Sequence, residues 1–114
     1  MMSLNGKIVS LNELAQLRKD TCNPQECDGG VYVGLKHIDS GSFHLSRHGK
    51  PSEVRSSKAR FYPGDVLYGK LRPYLDKAVV ADREGICSTD ILVLEPKNVP
   101  PWFLCGVLHA DRFI

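Results

Sequence analysis

Two short apolar runs, Ala78-Val79-Val80-Ala81 and Ile91-Leu92-Val93-Leu94, constrain the fold more than any other feature of this chain. Each is rich in β-branched residues and too short for a buried helix. A half-exposed strand alternates apolar with polar residues, so an unbroken run marks a strand covered on both faces. Both are expected to be central strands, with Gly85 in the turn between them. A chain of 114 residues builds one compact domain around one core. The layers covering these strands must therefore come from the same domain.

The rest of the chain supplies them. Residues 66–71 alternate, with Leu67, Gly69 and Leu71 on one side and Val66, Tyr68 and Lys70 on the other, which predicts a half-buried strand. Residues 31–35 and 58–62 are further strands, the first ending in a turn at 38–41 and the second in Pro63-Gly64-Asp65. Residues 7–9 read as a brief strand and 43–45 as a short return strand. Ser10-Leu11-Asn12-Glu13 has capping-box spacing, and Leu11, Leu14, Ala15 and Leu17 form a stripe, so a helix is expected over about residues 11–19. Residues 21–30, with Asn23-Pro24 and Asp28-Gly29-Gly30, are expected to be loop. After Pro100-Pro101, residues 102–113 predict a helix, apolar nearly all round and hence buried. The expected architecture is α+β: a single domain over 1–114 with a twisted, mostly antiparallel sheet of about five strands and short flanking helices.

Composition narrows the function classes. Hydrophobic residues make up 42% and charged residues 25%, the balance of a folded chain. No apolar run approaches the roughly 18 residues of a membrane span, and the start lacks a signal-peptide plan, so a cytoplasmic protein is expected. Free thiols are then the default for the four cysteines, and one loose pair, Cys22 and Cys27, does not make a zinc site. No cofactor and no metal are expected. Net charge is only +2, but residues 47–60 hold Arg47, Lys50, Arg55, Lys58 and Arg60 against the single acid Glu53, with His48 among them.

Such a segment suits a phosphate backbone. Four cations on four phosphates would give log K a salt slope of roughly −3.6; the alternative is a solvated basic loop. Lys70, Arg72, Tyr74 and Lys77 form a second candidate group, in which a DNA-contacting role stands beside support of the fold. His37, His44 and His48 are close in sequence, but Gly41, Gly49 and Pro51 oppose the helix that would align them on a metal. An Mg-dependent nuclease would need Asp65 and Glu95 to converge on the ion beside Lys97, and Pro96 interrupts the strand face that Glu95 and Lys97 should share. No phosphate-binding Gly-x4-Gly-Lys-Ser/Thr loop and no Asn-Pro-Pro-Tyr tetrapeptide occur.

Three stretches together resemble the target-recognition domain of type I restriction-modification specificity subunits. Tyr32-Val33-Gly34-Leu35-Lys36-His37-Ile38 is similar to that family's Tyr-hydrophobic-Gly-Leu-x-x-Ile opening. It is followed by Gly64-Asp65-Val66-Leu67-Tyr68-Gly69-Lys70-Leu71-Arg72-Pro73-Tyr74-Leu75-Asp76-Lys77, and then by Gly85-Ile86-Cys87-Ser88-Thr89-Asp90-Ile91-Leu92-Val93-Leu94. The likeness spans about residues 7–114. It implies a non-catalytic module that reads half of a bipartite double-stranded DNA site and directs methyltransferase and restriction subunits. The family's domain continues past its final helix into a long spacer helix, whereas this chain stops at Ile114, so a partial domain is expected. A truncated protein-interaction fragment, surviving as a homodimer, is the alternative.

Overall fold

The computed structural model describes residues 2–4, 7–9, 11–26, 30–70 and 76–110, the first two groups by backbone alone. Its β elements are β1 (Met2–Leu4), β2 (Lys7–Val9), β3 (Ala15–Leu17), β4 (Thr21–Cys22), β5 (Val31–Val33), β6 (Lys58–Phe61), β7 (Val66–Gly69), β8 (Ala78–Val80), β9 (Gly85–Cys87) and β10 (Ile91–Pro96). The helices are α1 (Leu11–Leu14) and α2 (Pro101–Ala110), with single 3-10 turns at Pro24–Glu26, Leu35–His37 and Pro51–Glu53.

The fold class is α+β as expected, but the strands divide into two four-stranded sheets instead of one. The first has the order β3-β10-β7-β8 and is antiparallel throughout. The second has the order β4-β6-β9-β5, with β5 and β9 parallel. β1 and β2 pair separately as a hairpin.

Period-two alternation explains the layering. On the first sheet, Val66, Ala78 and Leu94 pack with Leu104, Cys105, Val107 and Leu108 of α2. Their alternates Leu67, Val79, Ile91 and Val93 pack with Val33, Phe61 and Cys87 of the second sheet. The order of layers is helix, sheet, sheet, and β7 lies between two cores. Val66 and Leu67 are both fully buried, so the half-buried expectation for this strand fails: each face meets a layer that its own pattern did not announce.

Other local expectations were overridden by tertiary pairing. The helix expected to residue 19 stops at Leu14, because Ala15–Leu17 extends along the edge of β10 and satisfies its backbone there. Arg18 N–H continues this pairing to the Val93 carbonyl at 2.9 Å. β8 is covered on both faces yet lies at the sheet's edge, where Phe43 shields it by accepting the Val80 amide at 2.9 Å. Residues 43–45 contribute only an isolated bridge, His44 with Val80. Within the expected loop, Thr21–Cys22 is a strand on β6, and Cys22 is disulfide-bonded, against the expectation of a free thiol. Cys27, Asp28 and Gly29 lie outside the described residues. Helix α2 begins at Pro101, one residue before the expected start, and is buried on one side only, leaving Trp102 64% exposed; residues 111–113 of the expected helix lie outside the described residues.

Gly85 opens β9 and is not a turn residue. It stacks between β5 and β6 so closely that a Cβ would lie 2.3 Å from the Val31 carbonyl oxygen and 2.8 Å from Phe61 Cζ. Gly64, by contrast, is needed for its φ of +92° in the turn before β7.

Two outcomes follow for stability. Gly85→Ala must push backbone against backbone and is expected to cost about 3 kcal/mol, the upper part of the overpacking range, measured as a fall in the urea midpoint. Cys87 and Cys105 are free and buried, and desolvation pushes both thiols from 9.0 up to about 12, with Asp76 adding to the effect at Cys105. The unfolded chain therefore loses these protons first. Stability should hold below pH 9 and decline as pH rises from 9 towards 12, and neither thiol should react with a disulfide reagent in the native protein at pH 8.

Candidate functional site

The strand ends divide the charged residues between two ends of the sandwich. At the end where β7 begins and β10 finishes, Asp65 is 2% exposed. Its carboxylate accepts Arg18 Nε–H at 2.7 Å, Arg18 Nη2–H at 3.1 Å and the Tyr62 amide at 2.9 Å. Arg18 Nη2 also donates to Glu95 Oε2 at 2.5 Å. The Arg18 guanidinium lies 4.7 Å from the Tyr62 ring centroid and Arg60 5.4 Å from it, so two cations stack on one tyrosine. Arg18 is held above its ordinary pKa, chiefly by the Asp65 hydrogen bond.

This arrangement decides the nuclease alternative. Asp65 and Glu95 do converge, but on the guanidinium of Arg18, which takes the oxygens a metal would need. Lys97 Nζ turns away to the Asn12 carbonyl at 3.0 Å. The recess beside them, about 640 Å³ and lined by Arg18, Lys19, Asp20, Glu95 and Lys97 among others, holds both charge signs. Among the described residues no group of three or more His, Cys, Asp or Glu side chains is placed to hold a metal.

The basic segment does not form one cationic face. Arg47 donates to the Lys36 carbonyl at 2.6 Å and to Asp39 at 2.7 Å. His48 faces Arg83 at 3.2 Å, and Gly49 bridges Tyr32 at the outer edge of β5. Lys50 and Arg55 are exposed, without charged partners among the described residues, on the loop crossing towards β6. Lys58 and Arg60 alternate with the core residues Ala59 and Phe61, and so point away from the first sheet. Lys58 donates to Ser56 at 2.7 Å; Arg60 pairs with Glu84 at 3.5 Å, and its Nε is buried without a partner.

The other end of the sandwich holds the two described members of the second candidate group, Lys70 and Lys77. β5 and β9 finish there, β7 finishes at Gly69, and β8 and β10 start. Lys70 is exposed, its amide bound to the Asp90 carbonyl at 3.0 Å. Lys77 instead spends its ammonium on the Leu35 carbonyl at 2.8 Å, a bond that supports the fold. Arg72 and Tyr74 lie outside the described residues. Close by, His109 of α2 has Nδ1 2.7 Å from Asp76 Oδ1, and Nε2 2.8 Å from the carbonyls of both Ser42 and Ala78. His37 sits in the Leu35–His37 turn, where its Nδ1 accepts the Gly34 amide at 2.9 Å; burial first, and then the charge of Lys36, lower its pKa.

Sequence reasoning missed Arg18 and Lys36. Arg18 fell in the last turn of an expected helix, where a cation needs no partner. The usable signal was Asp65, a carboxylate immediately before a buried strand, which requires a cation from elsewhere in the chain. Lys36 was hidden inside what read as the end of a strand.

Comparison with known proteins gives a consistent likeness. The chain is 28% identical over 95 residues, 82% of its length, to the type I restriction enzyme EcoDI specificity subunit of Escherichia coli. It spans 21% of that relative. Its fold matches a chain from a type I restriction-modification system studied for complex assembly and conformational transition, with a TM-score of 0.71 and 24% identity over 89% of this chain and 28% of the other. It also matches the HsdS subunit of Thermoanaerobacter tengcongensis, with a TM-score of 0.69 and 24% identity over 88% and 28% of the two chains. No family model matches. The chain thus resembles about a quarter of a type I specificity subunit, in sequence and in fold.

The Arg18 knot carries a stability prediction. Arg18→Ala strands a buried carboxylate and should cost about 3 kcal/mol, with Asp65→Ala of similar size. The double variant should lose clearly less than the sum, a coupling measurable by urea unfolding of the four proteins.

Proposed function

We propose that this chain is a single, partial DNA target-recognition domain of a type I restriction-modification system. In this reading it contacts one half of a bipartite duplex site and directs methyltransferase and restriction subunits without catalysing a reaction itself. The observation that carries the proposal is the shared fold over nearly nine tenths of the chain, together with a sequence match to a specificity subunit over 82% of it. The proposal places the protein in the cytoplasm. No helix among the described residues is long and apolar enough to cross a membrane.

The candidates for DNA contact are Arg47, His48, Lys50, Arg55, Lys58, Arg60, Lys70, Arg72, Tyr74 and Lys77, and the DNA-reading proposal does not depend on which of them meet the duplex. Geometry ranks them. Among the described residues Lys50, Arg55 and Lys70 have no ion-pair partner, whereas Arg47 and Arg60 already face acids and Lys77 is committed to a carbonyl.

A second reading, a fragment that survives by pairing with its own copy, draws on one observation. The edge strand β3 ends in Leu17, 44% exposed, and Trp102 projects from α2. Exposed strand edges with apolar side chains favour self-association.

Titration of a labelled mixed-sequence duplex without Mg²⁺ separates the readings. For the DNA reader, log K should fall with log salt at a slope of about −2 to −4, and the duplex should remain uncut when Mg²⁺ is added. A protein that sediments as a stable dimer and binds no duplex even at low salt favours the second reading.

A further inference from the structure

We infer that the surface meeting DNA is the end of the sandwich where β5 and β7 finish, with Lys36 and Lys70 as its phosphate-binding pair, and not the loop of residues 47–60. The inference rests on the DNA-reading proposal and deepens it by naming the face.

The two lysines come from different sheets, and the residues that precede them are in contact. Leu35 follows β5, and its Cδ2 lies so near Gly69 that a Cβ there would approach within 2.8 Å. Residues 35 and 69 therefore touch, and Lys36 and Lys70 are their immediate successors. Both lysines are exposed, and neither ammonium has a partner among the described residues.

The ground beneath them is tied down. Lys77 Nζ holds the Leu35 carbonyl at 2.8 Å and Arg47 the Lys36 carbonyl at 2.6 Å. The Lys70 amide bonds to Asp90 at 3.0 Å, and the Gly69 amide to Lys77 at 2.8 Å. Two of the other cations at this end are therefore spent on holding backbone carbonyls in place, which leaves the pair projecting from a fixed base. Turns held in this way need no ordering of their backbone when an anion arrives. Of the neighbouring acids, Asp39 pairs with Arg47 and Asp76 with His109, while Asp90 meets Lys70 through its backbone carbonyl.

The loop of residues 47–60 lacks this focus. Arg47 leaves it for the end of the sandwich, Arg60 is matched by Glu84, and Lys50 and Arg55 stand on a crossing loop with Glu53 between them. Opposite charges interspersed at that spacing dilute the potential a polyanion would sense.

The test is anisotropy of a labelled 30-base-pair mixed-sequence duplex against the whole chain, over a salt series. Lys36→Glu with Lys70→Glu should weaken binding at least tenfold at about 50 mM salt and flatten the slope by about 1.8, the share of two phosphate contacts. Lys50→Glu with Arg55→Glu should change affinity less than threefold. If the double charge reversal melts early, Lys36→Gln with Lys70→Gln should give the same flattening without repulsion. Wild-type binding left intact by the Lys36 and Lys70 variants, or a loss carried by Lys50 and Arg55 instead, overturns the inference and leaves the DNA-reading proposal standing. Absence of duplex binding by the wild type at low salt overturns both.

Discussion

Burial of the first sheet on both faces is the constraint on which everything else hangs. Because side chains alternate along a strand, β7, β8 and β10 can feed two cores at once, one under α2 and one against the second sheet. Strands of this kind tolerate no polar residue in their middle and must discharge their charges at their ends. The chemistry of the molecule is accordingly found at the two ends of the sandwich, and the ends differ in character.

One end is self-neutralising. Arg18, Asp65 and Glu95 join the segments flanking β3, β7 and β10 through a single guanidinium, and Tyr62 covers it. A carboxylate as buried as Asp65 requires a cation, and the fork of an arginine can serve two carboxylates while its flat face stacks on a ring. Such a knot fixes the relation between the edge strand and the interior ones, and its charges are consumed in doing so.

The opposite end is built with the same economy but leaves charge over. Lys77, Arg47 and His109 bind carbonyls and acids of the turns there, so the backbone is held by side chains that would otherwise be solvated. Lys36 and Lys70 project from this base. The proposed DNA reading needs cations on a fixed backbone, and the inference assigns that part to this end.

Much of the fold was legible in the sequence, and the physical reason is periodicity. The unbroken runs at 78–81 and 91–94 required cover on both faces, and Pro63-Gly64 required a turn before a strand; both features are present in the fold. The 64–77 string and its flanks likewise pointed to the specificity-subunit likeness. Tertiary structure alone decided the rest. Ala15–Leu17 has a helical stripe but lies as a strand, because an open edge of β10 offers more hydrogen bonds than a helix end. Gly85 reads as a turn and is a close-packed strand residue, since nothing local reveals the backbone that approaches it. The run of cations from Arg47 to Arg60 looked like one patch, but a chain that crosses from the edge of β5 to β6 distributes its side chains over several surfaces. Composition fixes how much charge a segment holds; only the path of the backbone fixes which way each charge faces and whether an acid awaits it.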